Sequence, residues 1–256
     1  MEIQLIRHAT MVIGVRDQQI LLDPMLSPPG IMSAIPGVKN TDDNPLTPLP
    51  VEMAALLNPS VILLTHTHRD HFDAVAMEAL PSTIPLLCQP TDVDKLSAAG
   101  FSLLLPVEDS REWQGISVYR TGGQHGTGDI GKSMGPVSGF VLEVEGEPRV
   151  YITGDTVWCD AVETALARYQ PDIVICFAGE ARFSTGDPIT MGSEDIGRFC
   201  ALLPRARVVV VHMEAWNHCG LSRRELREYL RAAALEDRVY LPNDGEKLNF
   251  QQIQEY

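Results

Sequence analysis

The run Val61-Ile62-Leu63-Leu64-Thr65-His66-Thr67-His68-Arg69-Asp70-His71 decides how the rest of the chain is read. Its four leading apolar residues have the length and composition of a buried strand, and four side chains of the metal-ligating type come directly after it. The chain has seven histidines in 256 residues, and three of them fall here. Residues two apart share a face of an extended backbone, so His66 and His68 can converge on one ion. Asp70 and His71, where the chain turns towards the next helix, can then serve a neighbouring one. Imidazole and carboxylate are what zinc, iron and manganese accept, and each ion needs about three or four protein ligands with a position left open for catalysis. Burying these four side chains without an ion would strand charges at a cost of several kcal/mol. The competing reading is a solvated, His-rich loop.

Four residues cannot complete two sites, so the missing ligands are sought at other strand ends. The chain offers His125 in Gly122-Gly123-Gln124-His125-Gly126, Asp155 in Ile152-Thr153-Gly154-Asp155-Thr156 and His212 in Val208-Val209-Val210-Val211-His212. A single histidine after a strand is ordinarily a hydrogen-bonded structural residue. Three such residues added to an HxHxDH run point instead to a metal centre.

The surrounding pattern is that of a layered α/β protein. Strands are expected at Ile3–Ile6, Met11–Val15 and Gln19–Asp23, spaced as an antiparallel meander, and at Val61–Thr65, Ile116–Thr121, Gly139–Val144, Arg149–Thr153, Asp172–Cys176, Arg207–Val211 and Arg238–Leu241. Thr91-Asp92-Val93-Asp94 and Ser222-Arg223-Arg224-Glu225 read as capping boxes, the second opening a helix to about Leu235. Further helices are expected after Asp73, ending before Pro81, after Asp160, and after Ser193, ending before Pro204. Residues 27–50 hold six of the 18 prolines and should form a long irregular loop, either a flap over substrate or a surface insertion. Two comparable halves, about 1–125 and 135–256, make up one domain spanning 1–256.

Composition excludes several classes of function. With 20 Lys and Arg against 34 Asp and Glu, the net charge of -14 argues against nucleic acid and against an anionic membrane surface. The start, Met1-Glu2-Ile3-Gln4-Leu5, lacks a basic region followed by an apolar run, and no apolar stretch approaches the roughly 18 residues of a membrane span. A cytoplasmic protein is expected, in a reducing compartment, because its five cysteines are odd in number, scattered and free of any CxxC pair.

The order HxHxDH, Gly-Gln-His125-Gly, Thr-Gly-Asp155-Thr and an apolar strand ending in His212 resembles the metallo-β-lactamase fold superfamily of metal-dependent hydrolases, from about residue 3 to 245. Arg7-His8-Ala9-Thr10 followed by Ile20-Leu21-Leu22-Asp23-Pro24 resembles the branch holding the ascorbate-6-phosphate lactonases and the N-acyl-phosphatidylethanolamine phospholipase D type, with Arg7 in place of the usual glycine. The resemblance implies a four-layer αββα sandwich, two mixed β-sheets with helices on the outer faces. It also implies that His66, His68 and His125 hold one metal, that Asp70, His71 and His212 hold a second, and that Asp155 bridges them. The implied cofactors are two divalent ions, zinc first, with manganese or iron as alternatives.

The function implied is that of a dinuclear hydrolase, in which a metal-bridging hydroxide attacks an ester, lactone, thioester or phosphodiester bond of a small, anionic metabolite. Asp70, Asp155 and His8 are the expected catalytic residues, His8 lying beside the metals as a substrate contact or proton donor, or else as a satisfied structural histidine. Asp23 is a candidate for orienting a ligand imidazole or, equally, for capping a turn. His218 suits a rim or structural role, Glu180 and Arg182 a substrate anion or a surface pair, and Trp158 a pocket wall or the core. The expected partner is a small molecule, with no nucleic acid and no membrane, and a homo-oligomer is left open. Two other readings compete: an iron-dependent oxidoreductase of the same fold, and a non-catalytic metal-binding protein.

Overall fold

The computed structural model describes residues 1–251, so the expected domain limit at 256 lies outside the described residues. Among the described residues fourteen strands form, in chain order β1 (Glu2–Arg7), β2 (Thr10–Val15), β3 (Gln18–Leu22), β4 (Val61–Leu63), β5 (Leu86–Cys88), β6 (Leu104–Pro106), β7 (Ser110–Trp113), β8 (Ile116–Gly122), β9 (Ser138–Glu143), β10 (Val150–Ile152), β11 (Ile173–Phe177), β12 (Arg207–Val211), β13 (Val239–Tyr240) and β14 (Lys247–Asn249). Six helices accompany them: α1 (Ala74–Ala79), α2 (Val93–Ala98), α3 (Gly128–Met134), α4 (Asp160–Tyr169), α5 (Ser193–Leu202) and α6 (Arg223–Ala232). The strands make two seven-stranded sheets, ordered β14-β1-β2-β3-β4-β5-β6 and β13-β12-β11-β10-β9-β8-β7. Each is antiparallel on one side and parallel on the other.

Side-chain alternation explains why both sheets are buried on both faces. Val209 and Val211 of β12 point into a core shared with Ile3, Leu5 and Ile13 of the first sheet, while Val208 and Val210 face Phe199, Leu226 and Leu230 on α5 and α6. In the first sheet, Ile62 and Leu86 turn outward onto Ala76 of α1 and Leu96 of α2. Helix, sheet, sheet, helix is the four-layer α/β sandwich of the metallo-β-lactamase fold. The chain passes to the second sheet between β6 and β7, earlier than the expected division near residues 125–135, and β14 returns to pair with β1.

The meander β1-β2-β3 and all ten expected strands are present. Ser222 and Glu225 form the expected reciprocal cap on α6, which stops at Ala232 rather than near Leu235. The Thr91 box is corrected. A short 3-10 turn at Pro90–Asp92 precedes α2, no side chain caps that helix, and the Asp92 carboxylate accepts from Gln89 instead.

Residues 27–50 form no helix or strand, only an isolated bridge between Met32 and Asn44, yet the loop is firmly attached. The Asn217 side chain accepts from Ile35 N and Asn44 Nδ2 and donates to the carbonyls of Ile35 and Asn40. Arg7, fully buried, donates to the carbonyls of Met25, Ser27 and Thr47 at 2.7–3.0 Å. Burial lowers its guanidinium pKa to about 10, against the pull of Asp73 and Asp244. Arg7→Met strips three carbonyls of their donor, each loss costing about 1 kcal/mol or more. Urea unfolding should show a loss of roughly 2–4 kcal/mol, and limited proteolysis should open new cleavage within residues 27–50. An unchanged digest would show that Asn217 and the loop's other contacts, such as Arg69 to the Ser33 carbonyl and Leu46 N–H to the Ala215 carbonyl, hold it without Arg7.

Candidate metal centre

Six strands release the chain at one end of the sandwich, and each delivers a chemical side chain there. β1 leads to His8, β3 to Asp23, β4 to the 66–71 run, β8 to His125, β10 to Asp155 and β12 directly to His212. Within each sheet these strands run in the same direction, because β1 and β3 flank the antiparallel β2, and β8 and β10 flank the antiparallel β9. The turns at these strand ends are tight. His8, Asp23 and His212 adopt φ values of 59°, 41° and 63°, a left-handed conformation unfavourable to side-chain-bearing residues and typical of functional sites. Gly154, at φ 64°, lies so close to the Ser138 carbonyl that a Cβ would not fit, which makes glycine the residue that can turn Asp155 inward.

All seven expected ligands come together. Ligand atoms of His66, His68 and His125 lie within 4.8 Å of one another, as do those of His8, Asp70, His71 and His212, and those of His66, His71 and Asp155. Asp155 occupies the middle: its Oδ2 is 3.2 Å from His71 Nε2 and 3.4 Å from His125 Nε2, and its Oδ1 is 3.2 Å from His212 Nε2. Asp70 Oδ2 lies 3.7 Å from His71 Nε2 and 3.6 Å from His212 Nε2. His66 Nε2 and His68 Nδ1 face each other at 2.9 Å.

The far side of the imidazoles is already committed. His71 Nδ1 donates to Asp23 Oδ2 at 2.8 Å, His125 Nδ1 to the Ile189 carbonyl at 2.9 Å, and Thr65 Oγ1 lies 3.1 Å from His66 Nδ1. His212 Nδ1 meets the Cys219 thiol at 3.8 Å. Such outer partners fix ring orientation and leave the inner nitrogen as the donor to an ion. Asp23 is itself held by Thr65, which donates through both its N–H and its hydroxyl. Asp23 therefore does orient an imidazole, as the sequence suggested, whereas Thr65, Ile189 and Cys219 carry no signal that sequence reasoning could read.

These residues fit a cation. His71 Nε2, His212 Nε2 and Asp155 Oδ1 are buried yet lack hydrogen-bonding geometry, close as they stand. Burial alone would lower His71, but the carboxylates of Asp155 and Asp70 outweigh it and raise its pKa to about 10. His212 is likewise raised against burial by Asp155. Asp70 and Asp155 are held well below the ordinary carboxylate range by the surrounding imidazoles, although burial opposes this. Burial lowers His66 and His125, and burial with the charge of His212 brings His8 down to about 3. Protons thus balance the carboxylates in the metal-free protein, in the place that cations would take.

A cavity of about 190 Å³ opens over this cluster, walled by Ile35, Arg69, Met134, Phe183, Trp216 and His218 beside His68, Asp70 and His125. Ile35 comes from the pinned loop. His8 is absent from the wall: its side chain is fully buried, with Nε2 3.4 Å from Asp70 Oδ2 and its ring 3.7 Å from that of His212. Glu180 and Arg182 form an ion pair, and Arg182 borders a second cavity of about 550 Å³. Trp158 packs on Phe199 and donates to Glu163, outside the metal-side cavity. Among the described residues all five cysteines are free, and no helix is long and apolar enough to cross a membrane.

Two stacked mixed sheets with a His/Asp cluster at one end define a metallohydrolase fold of the metallo-β-lactamase type. The chain belongs to the beta-lactamase superfamily, whose domain model matches residues 18–213. It is 35% identical to the protein YddR of Bacillus subtilis, a UPF0173 protein, over 98% of this chain and 100% of that one. The crystal structure of an isothiocyanate hydrolase from Delia radicum gut bacteria superimposes with a TM-score of 0.94 at 35% identity, covering 98% of this chain and 100% of the other. That of a possible metal-dependent hydrolase from Veillonella parvula gives 0.94 at 34% identity, over 97% and 99%.

Because Asp155 raises the basicity of His71 and His212 against burial, metal uptake at these imidazoles should displace protons and affinity should rise with pH. Calorimetry in two buffers of different ionisation enthalpy reads the proton count, and a count of zero would contradict the arrangement. The outer contacts are open to a separate test. Asp23→Asn, which keeps the shape but weakens the hold on His71, should lower metal affinity about 10–100-fold, measured by competition with a chromophoric chelator.

Proposed function

We propose that the protein is a hydrolase carrying two divalent ions and that it acts on small, uncharged electrophiles of the isothiocyanate class. In this reading His66, His68 and His125 hold the first ion, Asp70, His71 and His212 the second, and Asp155 reaches both. The observation that carries it is the convergence of buried, unpartnered imidazole and carboxylate atoms beneath a small cavity with apolar walls. Ions bound there supply Lewis acidity and bring the pKa of coordinated water from about 15.7 towards 7, so that no separate side-chain base is required.

The chain's own residues do the rest. Asp70 and Asp155 offset part of the cationic charge, so the centre can polarise a neutral substrate without trapping its product. Ile35, Met134, Phe183 and Trp216 give the wall an apolar surface that favours a compact apolar molecule, which an isothiocyanate is. The isothiocyanate hydrolase of the Delia radicum gut bacteria matches this chain almost end to end, which supports the same substrate class. Arg69 favours a second reading, hydrolysis of an ester, lactone, thioester or phosphodiester with an anionic group: its guanidinium lies in the wall, 5.5 Å over the Trp216 ring.

Zinc- or manganese-loaded protein should consume allyl and phenyl isothiocyanate, followed by loss of ultraviolet absorbance and by amine release. Asp155→Asn should lose metal together with at least about a hundredfold in turnover, beyond what an outer-contact change brings. Inertness towards isothiocyanates with turnover of lactones or phosphodiesters would favour the second reading, and full activity in Asp155→Asn would remove the shared-ligand role.

A further inference from the structure

His8 follows β1 and stands as close to Asp70, His71 and His212 as the ligands of one ion stand to one another. Proximity alone would make it a fourth ligand of the second ion. The surroundings of its two ring nitrogens point to a different role.

A neutral imidazole that gives one nitrogen to an ion carries its proton on the other, and a buried proton of that kind needs a partner. The outer nitrogens of His66, His71, His125 and His212 all have a polar neighbour, in Thr65, Asp23, the Ile189 carbonyl and Cys219. His8 Nδ1 is buried and has none. Ligation through Nε2 would therefore leave a buried N–H unpaired, which proteins ordinarily avoid. With the proton on Nε2 instead, Nδ1 keeps only a lone pair, and the Nε2–H meets Asp70 Oδ2 at 3.4 Å in a long hydrogen bond.

The remaining contacts lead to a second ligand. The His8 ring lies 3.7 Å from that of His212, and its carbonyl accepts from His212 N–H at 2.9 Å. Asp70 comes after β4 in the first sheet, and His212 comes after β12 in the other. His8 thus ties together two metal-facing residues delivered by different sheets. Its side chain is fully buried and takes no part in the cavity wall. His66, His68 and His125 form a separate group, which His8 does not join.

We propose that His8 is a positioning residue of the second metal site, a neutral imidazole whose Nε2–H holds Asp70 while its ring and carbonyl hold His212. It sets the affinity for that ion without ligating it and without touching substrate. The proposal rests on the two-ion reading of the site.

The test adds cobalt(II) stepwise to the full-length protein, reads each step by visible absorbance and measures its affinity by chelator competition. His8→Ala should weaken the second step about 10–100-fold and leave the first unchanged. His8→Gln, which places an N–H close to where Nε2 stands, should recover most of the loss. His8→Phe, which keeps a ring against His212 but has no donor, should recover less. Equal weakening of both steps, no weakening, or recovery by phenylalanine but not by glutamine overturns the proposal. Should the alanine protein fail to fold, the comparison of the other two variants decides. A readout that needs no folded alanine variant is the nitrogen-15 NMR spectrum of histidine-labelled, zinc-loaded wild type, which distinguishes protonated, bare and metal-bound ring nitrogens. His8, assigned by its loss in His8→Gln, should show Nε2 protonated and Nδ1 bare. A metal-bound Nε2 would make it a ligand and overturn the proposal, as would a proton on Nδ1. Uptake of a single ion by the wild type would overturn the two-ion reading, and the His8 nitrogens would still decide its bond to Asp70.

Discussion

Buried imidazoles and carboxylates that water cannot reach must be neutralised by something inside the protein, and this constraint governs the molecule. His66, His71, His125, Asp155 and His212 are each at most 3% exposed, and His71 Nε2, His212 Nε2 and Asp155 Oδ1 have no hydrogen bond although they lie close to one another. In a low-dielectric interior such a cluster is tenable only with cations, or with protons in their place. The opposed pKa shifts express the same demand, with His71 and His212 raised by Asp155 against burial and the Asp155 carboxylate depressed by the imidazoles it faces. A site held this way is stable when occupied and strained when empty.

The scaffold answers by supplying rigidity from outside the cluster. Phe177, at the end of β11, stacks 5.9 Å from the His71 ring and 5.8 Å from the His212 ring, so the apolar core between the sheets is also the floor of the site. The left-handed turns at His8, Asp23 and His212 are costly alone, yet each is pinned: His212 N–H donates to the His8 carbonyl, and Asp23 takes three bonds from Thr65 and His71. Strain at the functional turns is offset by contacts belonging to the fold. Proton, metal and substrate chemistry therefore depend on residues that touch none of the three.

Much of this was legible in the chain because the decisive signals are local. The HxHxDH run, the β-type segments before His125, Asp155 and His212, and the run of four valines in β12 each come from residue type and spacing. The remaining strands lack that signal: β5 and β6 have three residues each, β7 is a polar edge, and β14 is defined only by its pairing with β1. The Thr91 cap failed because Pro90 starts a 3-10 turn that puts Asp92, not Thr91, ahead of the helix. The cavity walls could not be read either. Ile35, Met134, Phe183 and Trp216 come from four separate segments, and nothing in the residues around any of them says that they meet.

That last gap bears on the choice between an anionic substrate, the expectation from sequence, and the uncharged one proposed above. Metal ligands announce a positive centre, and a positive centre suggests a negative guest. The wall alters the balance, because apolar side chains make desolvating a charged group expensive while costing a neutral one nothing. The protein's charge of -14 adds a long-range repulsion of anions in the same direction. An uncharged molecule meets neither barrier and can still be polarised once inside, since polarisation requires the field of the centre but no net attraction to it. On the isothiocyanate reading proposed above, selection by the wall and activation by the centre would be separate functions carried by different residues.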